Sequence, residues 1–268
     1  MRTGHILLFA FAAIDAVNAA SLSHRMLRLR GGEEDLVEQQ LKRQGNVGPL
    51  CRDEIVEKLN AVPTFCIMQE DGSVISLPDP EGEEGDECCT WFVDAAEAKS
   101  TLRKVVAANP DLSGLKLVSH GLGDFVTMAN GWPRKADSPA ESGDGPRLKL
   151  KPSRDVTSMI GEQLVSALKG AGLDPGLWQL AVFLAEELAQ ATPEGEQTML
   201  PIFLHPNDVR QAYDKVGIPP EALNRVKVLE LRQLLKMMSE ETPDAVNPWR
   251  AVRFLTSPAA IQLAQELA

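Results

Sequence analysis

The chain has 268 residues, of which 44% are hydrophobic and 24% are charged, a composition typical of a globular protein with one large or two small domains. Its net charge of -11 argues against a nucleic-acid binder, because such proteins use basic surfaces to displace counterions. The same acidity argues against an anionic membrane surface as the main partner, so at most a peripheral contact with a membrane is expected.

The N-terminal part of the sequence is typical of a targeting leader. An apolar run over residues 6–13, followed by small residues, predicts a signal peptide over residues 1–19. Residues 20–32 contain Ser and Arg but no acid, which indicates a transit-like segment and hence a bipartite plastid presequence. The alternative is a plain secretory signal before a basic mature N-terminus. Residues 33–48 are interpreted as a linker. No later run is long and apolar enough to span a membrane, so a soluble mature protein is expected.

The rest of the chain contains an internal repeat. At an offset of 111 residues Phe92 falls on Phe203, and the match continues without a gap as far as Ser119. The same kinds of segments then follow in the same order in both halves. This self-similarity predicts two copies of one unit, over residues 49–170 and 171–268.

The sequence pattern of each copy predicts the element order β-β-α-β-α-β-α. In the first copy a helix over residues 50–59 is predicted before these elements. In the first copy the predicted strands are 62–68, 90–93, 115–119 and 147–151, and the predicted helices are 95–108, 122–129 and 154–169. In the second copy the predicted strands are 178–184, 200–204, 226–231 and 251–255, and the predicted helices are 206–216, 232–239 and 258–267. Asp94, with Glu97 three residues later, predicts the start of the first long helix.

Short Val-, Leu-, Ile- and Phe-rich strands with helices between them predict an α/β class, of the α+β two-layer kind with a sheet against helices. A single unit of this size has a marginal core, so the two units are expected to pack together as one body. The alternative is two beads joined at residues 170–176. The loop over residues 131–145 is rich in Pro, Ser, Gly and Asp and is expected to be mobile.

The residues that could carry catalysis are few. The four cysteines include no Cys-x-x-Cys pair, so neither a zinc site nor a thioredoxin-type centre is indicated. Beyond the leader only His120 and His205 remain, and both are interpreted as capping or packing residues at strand–helix junctions. A catalytic pair of Cys88 or Cys89 with His120 is the alternative. With no phosphate-binding loop and no metal cluster in the sequence, we expect a non-enzymatic protein without a cofactor or metal.

A binding function would need apolar surface that unfolded chains can contact. The apolar candidates for client or partner binding are Phe65, Trp91, Phe92, Phe125, Met128, Phe203, Met237 and Met238. Methionine suits such surfaces because its side chain adapts to varied partners. The pair Met237–Met238, at the end of a short helix, is expected to be partly exposed.

Three ordered motifs resemble one known family. They are Val62-Pro63-Thr64-Phe65 before a hairpin, Trp91-Phe92-Val93-Asp94 at an acidic helix start, and Leu200-Pro201-Ile202-Phe203-Leu204 before Asn207-Asp208. Together they resemble the Tic 22 kDa subunit family of the plastid inner-envelope translocon, over roughly residues 50–268.

The resemblance implies a soluble plastid protein-import factor that escorts unfolded preproteins between envelope membranes, with preproteins and translocon components as partners. It places the protein in the intermembrane space, or in an adjacent compartment of a secondary plastid. Two other functions are open. One is a structural docking subunit of a plastid membrane complex, and the other is an enzyme of unknown chemistry.

Overall fold

The computed structural model describes residues 48–79, 86–138, 146–191, 198–240 and 247–268. The predicted signal peptide, the transit-like segment and nearly all of the predicted linker lie outside the described residues, as do residues 139–145 of the predicted mobile loop. Among the described residues, no helix combines the length and the hydropathy that crossing a bilayer requires.

The described residues form seven α-helices and ten strands. The helices are α1 Arg52–Leu59, α2 Ala95–Ala108, α3 Leu122–Met128, α4 Arg154–Gly170, α5 Pro206–Val216, α6 Leu231–Ser239 and α7 Pro258–Leu267. The strands are β1 Pro63–Met68, β2 Ser76–Pro78, β3 Glu87–Phe92, β4 Lys116–Gly121, β5 Leu148–Lys151, β6 Ala181–Leu184, β7 Gln190–Ala191, β8 Thr198–Phe203, β9 Lys227–Glu230 and β10 Val252–Leu255. Short 3-10 helices cover Glu186–Leu188, Pro220–Arg225 and Pro248–Ala251.

The two sheets have the same topology, which confirms the predicted α+β class and the repeated element order. In the first sheet β5 runs parallel to β3, β3 pairs antiparallel with β1, and β1 pairs antiparallel with β4. The second sheet repeats this arrangement with β10, β8, β6 and β9. The short strands β2 and β7, which were not predicted, pair with β3 and β8 respectively.

Equivalent helices begin with equivalent caps. Asp94 accepts a hydrogen bond from the Glu97 amide at 2.8 Å at the start of α2. At the start of α5, His205 Nδ1 accepts one from the Asn207 amide at 3.1 Å. Each cap satisfies a backbone donor that has no partner within the helix. His205 is therefore a capping residue, as the sequence indicates.

The closing helix of each unit covers the sheet of the other unit. Val156, Ile160 and Leu164 of α4 pack with Phe183 and Phe203 of the second sheet. Conversely, Ala260 and Leu263 of α7 pack with Phe65 and Phe92 of the first sheet. The outer face of each sheet is thus covered by one helix from each unit, α2 with α7 and α5 with α4. This exchange was not predicted from the sequence.

A central core joins the two units between their sheets. It combines α1, α3 and α6 with the inward residues of both sheets, such as Cys66 and Trp91 in one and Val182 and Ile202 in the other. All four of these side chains are at most 3% exposed. The alternative of two separate beads is therefore wrong, because residues of both units form one continuous core.

Polar contacts at one edge also hold the units together. Arg250, in the 3-10 helix before β10, donates to Glu54 of α1 at 2.7 Å and to the Pro49 carbonyl at 2.7 Å. Lys58 donates to the Arg250 carbonyl at 2.7 Å. The hydrogen bond from Arg250 and that from the Cys51 amide lower the pKa of Glu54 to about 2. The start of the first unit is thus tied to the 3-10 helix that precedes the last strand of the second.

Candidate functional site

Most of the apolar residues predicted for binding lie in the interior. Phe65, Phe125 and Met238 are 0% exposed, and Phe92 is 1% exposed. Trp91 and Phe203 are 3% and 4% exposed. All six side chains are therefore core residues and form no exposed surface.

The structure corrects the predicted exposure of Met237 and Met238. The two side chains are 9% and 0% exposed, so the expected partial exposure is wrong. The reason is that α6 lies between the two sheets, where its residues meet the core from several sides. At its C-terminal end Met237 and Met238 lie on the buried face of this helix, whereas Lys236 and Ser239 lie on its outward face.

Met128 is the predicted binding residue that reaches the surface. It is 49% exposed at the C-terminal end of α3. A second exposed apolar side chain, Leu177, is 48% exposed in the connector after α4. The two segments meet where Gly131 packs against Trp178, since a Cβ at Gly131 would lie 2.6 Å from the Trp178 ring. Met128 and Leu177 therefore lie three and one residues along the chain from a contact between the two units.

The structure does not bring a cysteine and a histidine together among the described residues. Cys88 Sγ lies 3.4 Å from Thr90 Oγ1, and Cys89 Sγ lies 3.8 Å from Ser76 Oγ. The His120 ring instead neighbours Trp91, with 6.5 Å between the ring centroids. Burial raises the pKa of the Cys66 thiol to about 12, so this group is not a thiolate near neutral pH.

A groove of about 690 Å³ lies at the same junction, and we call it the junction groove. It is lined by Arg52, Ile55, Trp132, Pro133, Arg134, Lys135, Ala136, Asp137, Ala171, Gly172, Leu173, Lys236 and Ser239. These residues come from α1, from the segment after α3, from the connector after α4, and from α6. Its volume is in the range of small-molecule binding sites.

Backbone pairing fixes one wall of the junction groove. The Asp174 amide donates to the Arg134 carbonyl at 2.9 Å, and the Ala136 amide donates to the Gly172 carbonyl at 3.0 Å. An ion pair of 2.7 Å between Arg134 and Asp174 reinforces this short ribbon. The first half of the predicted mobile loop is therefore part of a defined wall.

The rim of the junction groove carries more cations than carboxylates. Arg52, Arg134, Lys135 and Lys236 line it, against the single carboxylate of Asp137. Arg52 lies over the Trp132 ring, 5.0 Å from its centroid. Lys236 is 4.0 Å from Glu240, and within the described ranges neither Arg52 nor Lys135 has a carboxylate partner. This basic rim stands out on a chain with a net charge of -11.

A buried ion pair supports the junction from behind. Glu230, 0% exposed, accepts hydrogen bonds from the Arg232 amide at 2.6 Å and from the Leu180 amide at 3.3 Å. Arg232 donates to the carbonyls of Asp174 and Trp178 and lies 4.7 Å from the centroid of the Trp178 ring. Burial raises the pKa of Glu230 and lowers that of Arg232. The pair fixes the connector, and with it the groove wall, against α6.

Sequence reasoning missed the junction groove because four separate segments build it. The signal that was available is the run Trp132-Pro133-Arg134-Lys135, an aromatic residue next to two cations inside a Gly- and Pro-rich loop.

No group of three or more His, Cys, Asp or Glu residues that could hold a metal ion occurs among the described residues.

Comparisons with solved structures find the same architecture. A Tic22 from Anabaena, described as a protein-transport protein, superposes with a TM-score of 0.55 over 82% of this chain and 98% of that chain, at 17% sequence identity. A Tic22 from Plasmodium falciparum superposes with a TM-score of 0.53 over 80% of this chain and 96% of that chain, also at 17% identity.

The chain has a Tic22-like fold. The resemblance seen in the ordered sequence motifs is thereby confirmed at the level of the fold. No protein-family model matches the sequence, and a search of curated proteins finds no significant match. The Tic22-like fold is therefore recognisable in the structure and in a series of short motifs rather than in overall sequence similarity.

Proposed function

We propose that this chain is a soluble, non-enzymatic plastid protein-import factor that binds unfolded preproteins and escorts them between envelope membranes. The observation that carries this proposal is the Tic22-like fold, which extends over nearly the whole length of an Anabaena protein described as acting in protein transport. The predicted bipartite presequence supports a plastid location, in the intermembrane space or in an adjacent compartment of a secondary plastid.

The exposed apolar side chains at the unit junction support the binding role. Met128 and Leu177 are each about half exposed although a folded protein gains by burying such groups. An unfolded client offers apolar segments that can cover them. Contacts of this kind should persist at high salt, because salt screens charge pairs and does not weaken apolar association.

Suppression of client aggregation tests the proposal. The intact protein is expected to slow the aggregation of an unfolded model client at low and at high salt. The double substitution Met128→Ser and Leu177→Ser should reduce this protection. Met159→Ser is the matched control, because Met159 is 47% exposed but lies on α4, outside the junction segments.

Two results would change the interpretation. If the intact protein protects no client at any salt concentration, the chaperone-like role fails and the structural docking subunit becomes the better proposal. If Met159→Ser reduces protection as much as the junction variant does, client binding stands but the junction is not its site.

A further inference from the structure

The junction groove combines apolar surface with an excess of positive charge. Trp132, Pro133 and Leu173 supply apolar lining, while Arg52 and Lys135 supply cations that no carboxylate neutralises within the part of the chain that the structure describes. Cations held near apolar walls attract an anionic partner more strongly than cations in open solvent, because the low dielectric of the wall focuses their field.

We propose that the junction groove binds a short acidic peptide segment of a partner protein. The ligand carries two or more carboxylates for the basic rim and an apolar side chain for the Trp132 side of the groove. This inference is independent of client binding at Met128 and Leu177, because it rests on charge complementarity and a different set of residues.

The same charges argue against two other ligands. A basic, acid-free segment such as residues 20–32 of this chain would be repelled by the rim, so the groove is not a site for presequences of that type. Nucleic acid is disfavoured because the rest of the chain is strongly acidic and repels a polyanion that extends beyond the groove.

The geometry suits a peptide held in one orientation. The groove wall is fixed by the ribbon between Arg134–Ala136 and Gly172–Asp174, so little ordering of the protein is needed on binding. Arg134 is paired with Asp174 at 2.7 Å, whereas Lys236 has only an exposed partner, Glu240, at 4.0 Å. Arg52, Lys135 and Lys236 line the groove from three different segments. These three cations are therefore the residues to change.

The test is fluorescence anisotropy of a labelled ten-residue peptide of alternating Glu and Leu on the full chain. A Gln–Leu peptide of equal length and a basic peptide with the sequence of residues 20–32 serve as comparisons. Of the three peptides, we expect only the acidic one to bind, and its affinity should fall as the salt concentration is raised. The triple variant Arg52→Gln, Lys135→Gln and Lys236→Gln should weaken binding at least about tenfold.

The matched control removes three cations elsewhere. Arg103→Gln, Lys104→Gln and Lys215→Gln change the net charge equally but lie on α2 and α5, and they should alter the affinity by less than about twofold. Equal melting temperatures of the two triple variants would show that both are folded. Equal weakening by the two variants would overturn the proposal, since binding would then follow net charge alone.

Three further outcomes would also overturn it. In the first, the full chain binds the peptide only after Glu33→Gln, Glu34→Gln, Asp35→Asn and Glu38→Gln, so that the chain's own acidic segment is the occupant. In the second, the groove variant loses binding to phosphatidylserine vesicles while no acidic peptide binds the parent protein, so that the groove contacts a lipid surface. In the third, all three peptides bind equally, so that the groove does not select for an acidic ligand.

Discussion

Phe65 lies directly opposite Phe92 on neighbouring strands of the first sheet. The second sheet has the same cross-strand pair in Phe183 and Phe203. In both sheets the two rings face the outer layer, where a helix from each unit covers them. The internal repeat is therefore visible in side-chain pairing as well as in strand order.

We expect Phe92→Ala and Phe203→Ala each to lower the free energy of unfolding by about 3–5 kcal/mol, because each removes a buried ring and leaves a cavity. Urea denaturation measures the loss. Val106→Ala on α2 serves as the control, since Val106 is 44% exposed and should lose less than about 0.5 kcal/mol. A loss below about 1 kcal/mol at both Phe positions would mean that the two positions are not equivalent core sites.

The exchange of closing helices predicts that a change in the first unit weakens the second sheet. Leu164 of α4 is 3% exposed and packs in the cluster of the second sheet, so Leu164→Ala should cost about 2–5 kcal/mol. Native-state hydrogen exchange should then show faster exchange in β6 and β8 at denaturant concentrations below global unfolding.

The reciprocal variant is Leu263→Ala on α7, which should accelerate exchange in β1 and β4 instead. If Leu164→Ala accelerated exchange in β1 and β4 while β6 and β8 remained protected, the helices would not be exchanged in solution.

The two units cap equivalent helices differently. Glu230 caps α6 with its own side chain, whereas Gly121, at the equivalent position before α3, has no side chain and leaves the space to Asn60, the residue that follows α1. Asn60 accepts a hydrogen bond from the Asp124 amide at 3.0 Å. The free backbone amide of Asp124 at the start of α3 thus finds its acceptor on a residue from outside that helix.

We expect Glu230→Ala to lower the free energy of unfolding by about 3–5 kcal/mol, because it leaves the buried Arg232 without its counter-charge. Asn60→Ala should cost only about 1 kcal/mol, the usual value of an N-terminal cap. Adding Arg232→Met to Glu230→Ala should recover part of the loss. Equal, small losses in the two single variants would show that the buried ion pair is not a determinant of stability.

The acid stability of the protein should depend in part on Glu54. Its folded-state pKa of about 2 is below the ordinary value of 4.5, so the ionised carboxylate stabilises the folded state above about pH 4.5. That contribution should be lost as the pH falls from about 4.5 to 2. Glu54→Gln should remove this part of the pH dependence, by no more than about 1 kcal/mol because the side chain is solvated.

Urea denaturation at pH 7 and pH 2.5 measures this difference, and Glu57→Gln on the exposed side of α1 is the control. If Glu54→Gln destabilised the protein equally at both pH values, ionisation of Glu54 would not be the cause.

Local signals in the sequence predict individual elements well. Helix α2 has the predicted bounds, because Asp94 caps its start and Asn109-Pro110 ends it. Helix α7 also has its predicted bounds, beginning at Pro258. Strands β2 and β7 have three and two residues, which is too short for an alternating pattern to indicate them.

Long-range placement is the part that the sequence does not predict. The apolar stripe of α4 shows that this helix is buried on one face, but both sheets offer an apolar surface to receive it. The same limit explains the wrong expectation for Met237–Met238, since burial of α6 depends on where the second sheet lies. The junction groove depends on four segments meeting, so its individual residues give little sign of it.

The most direct test of the import role is site-specific photocrosslinking in intact plastids. A photoreactive residue at position 128 of the protein, and at position 159 as the control, would be activated during import of a labelled precursor. The proposed function predicts an adduct from position 128 to precursor that still carries its presequence, and little adduct from position 159. Adducts only to subunits of an assembled membrane complex, with no precursor at either position, would contradict that role and favour the docking subunit.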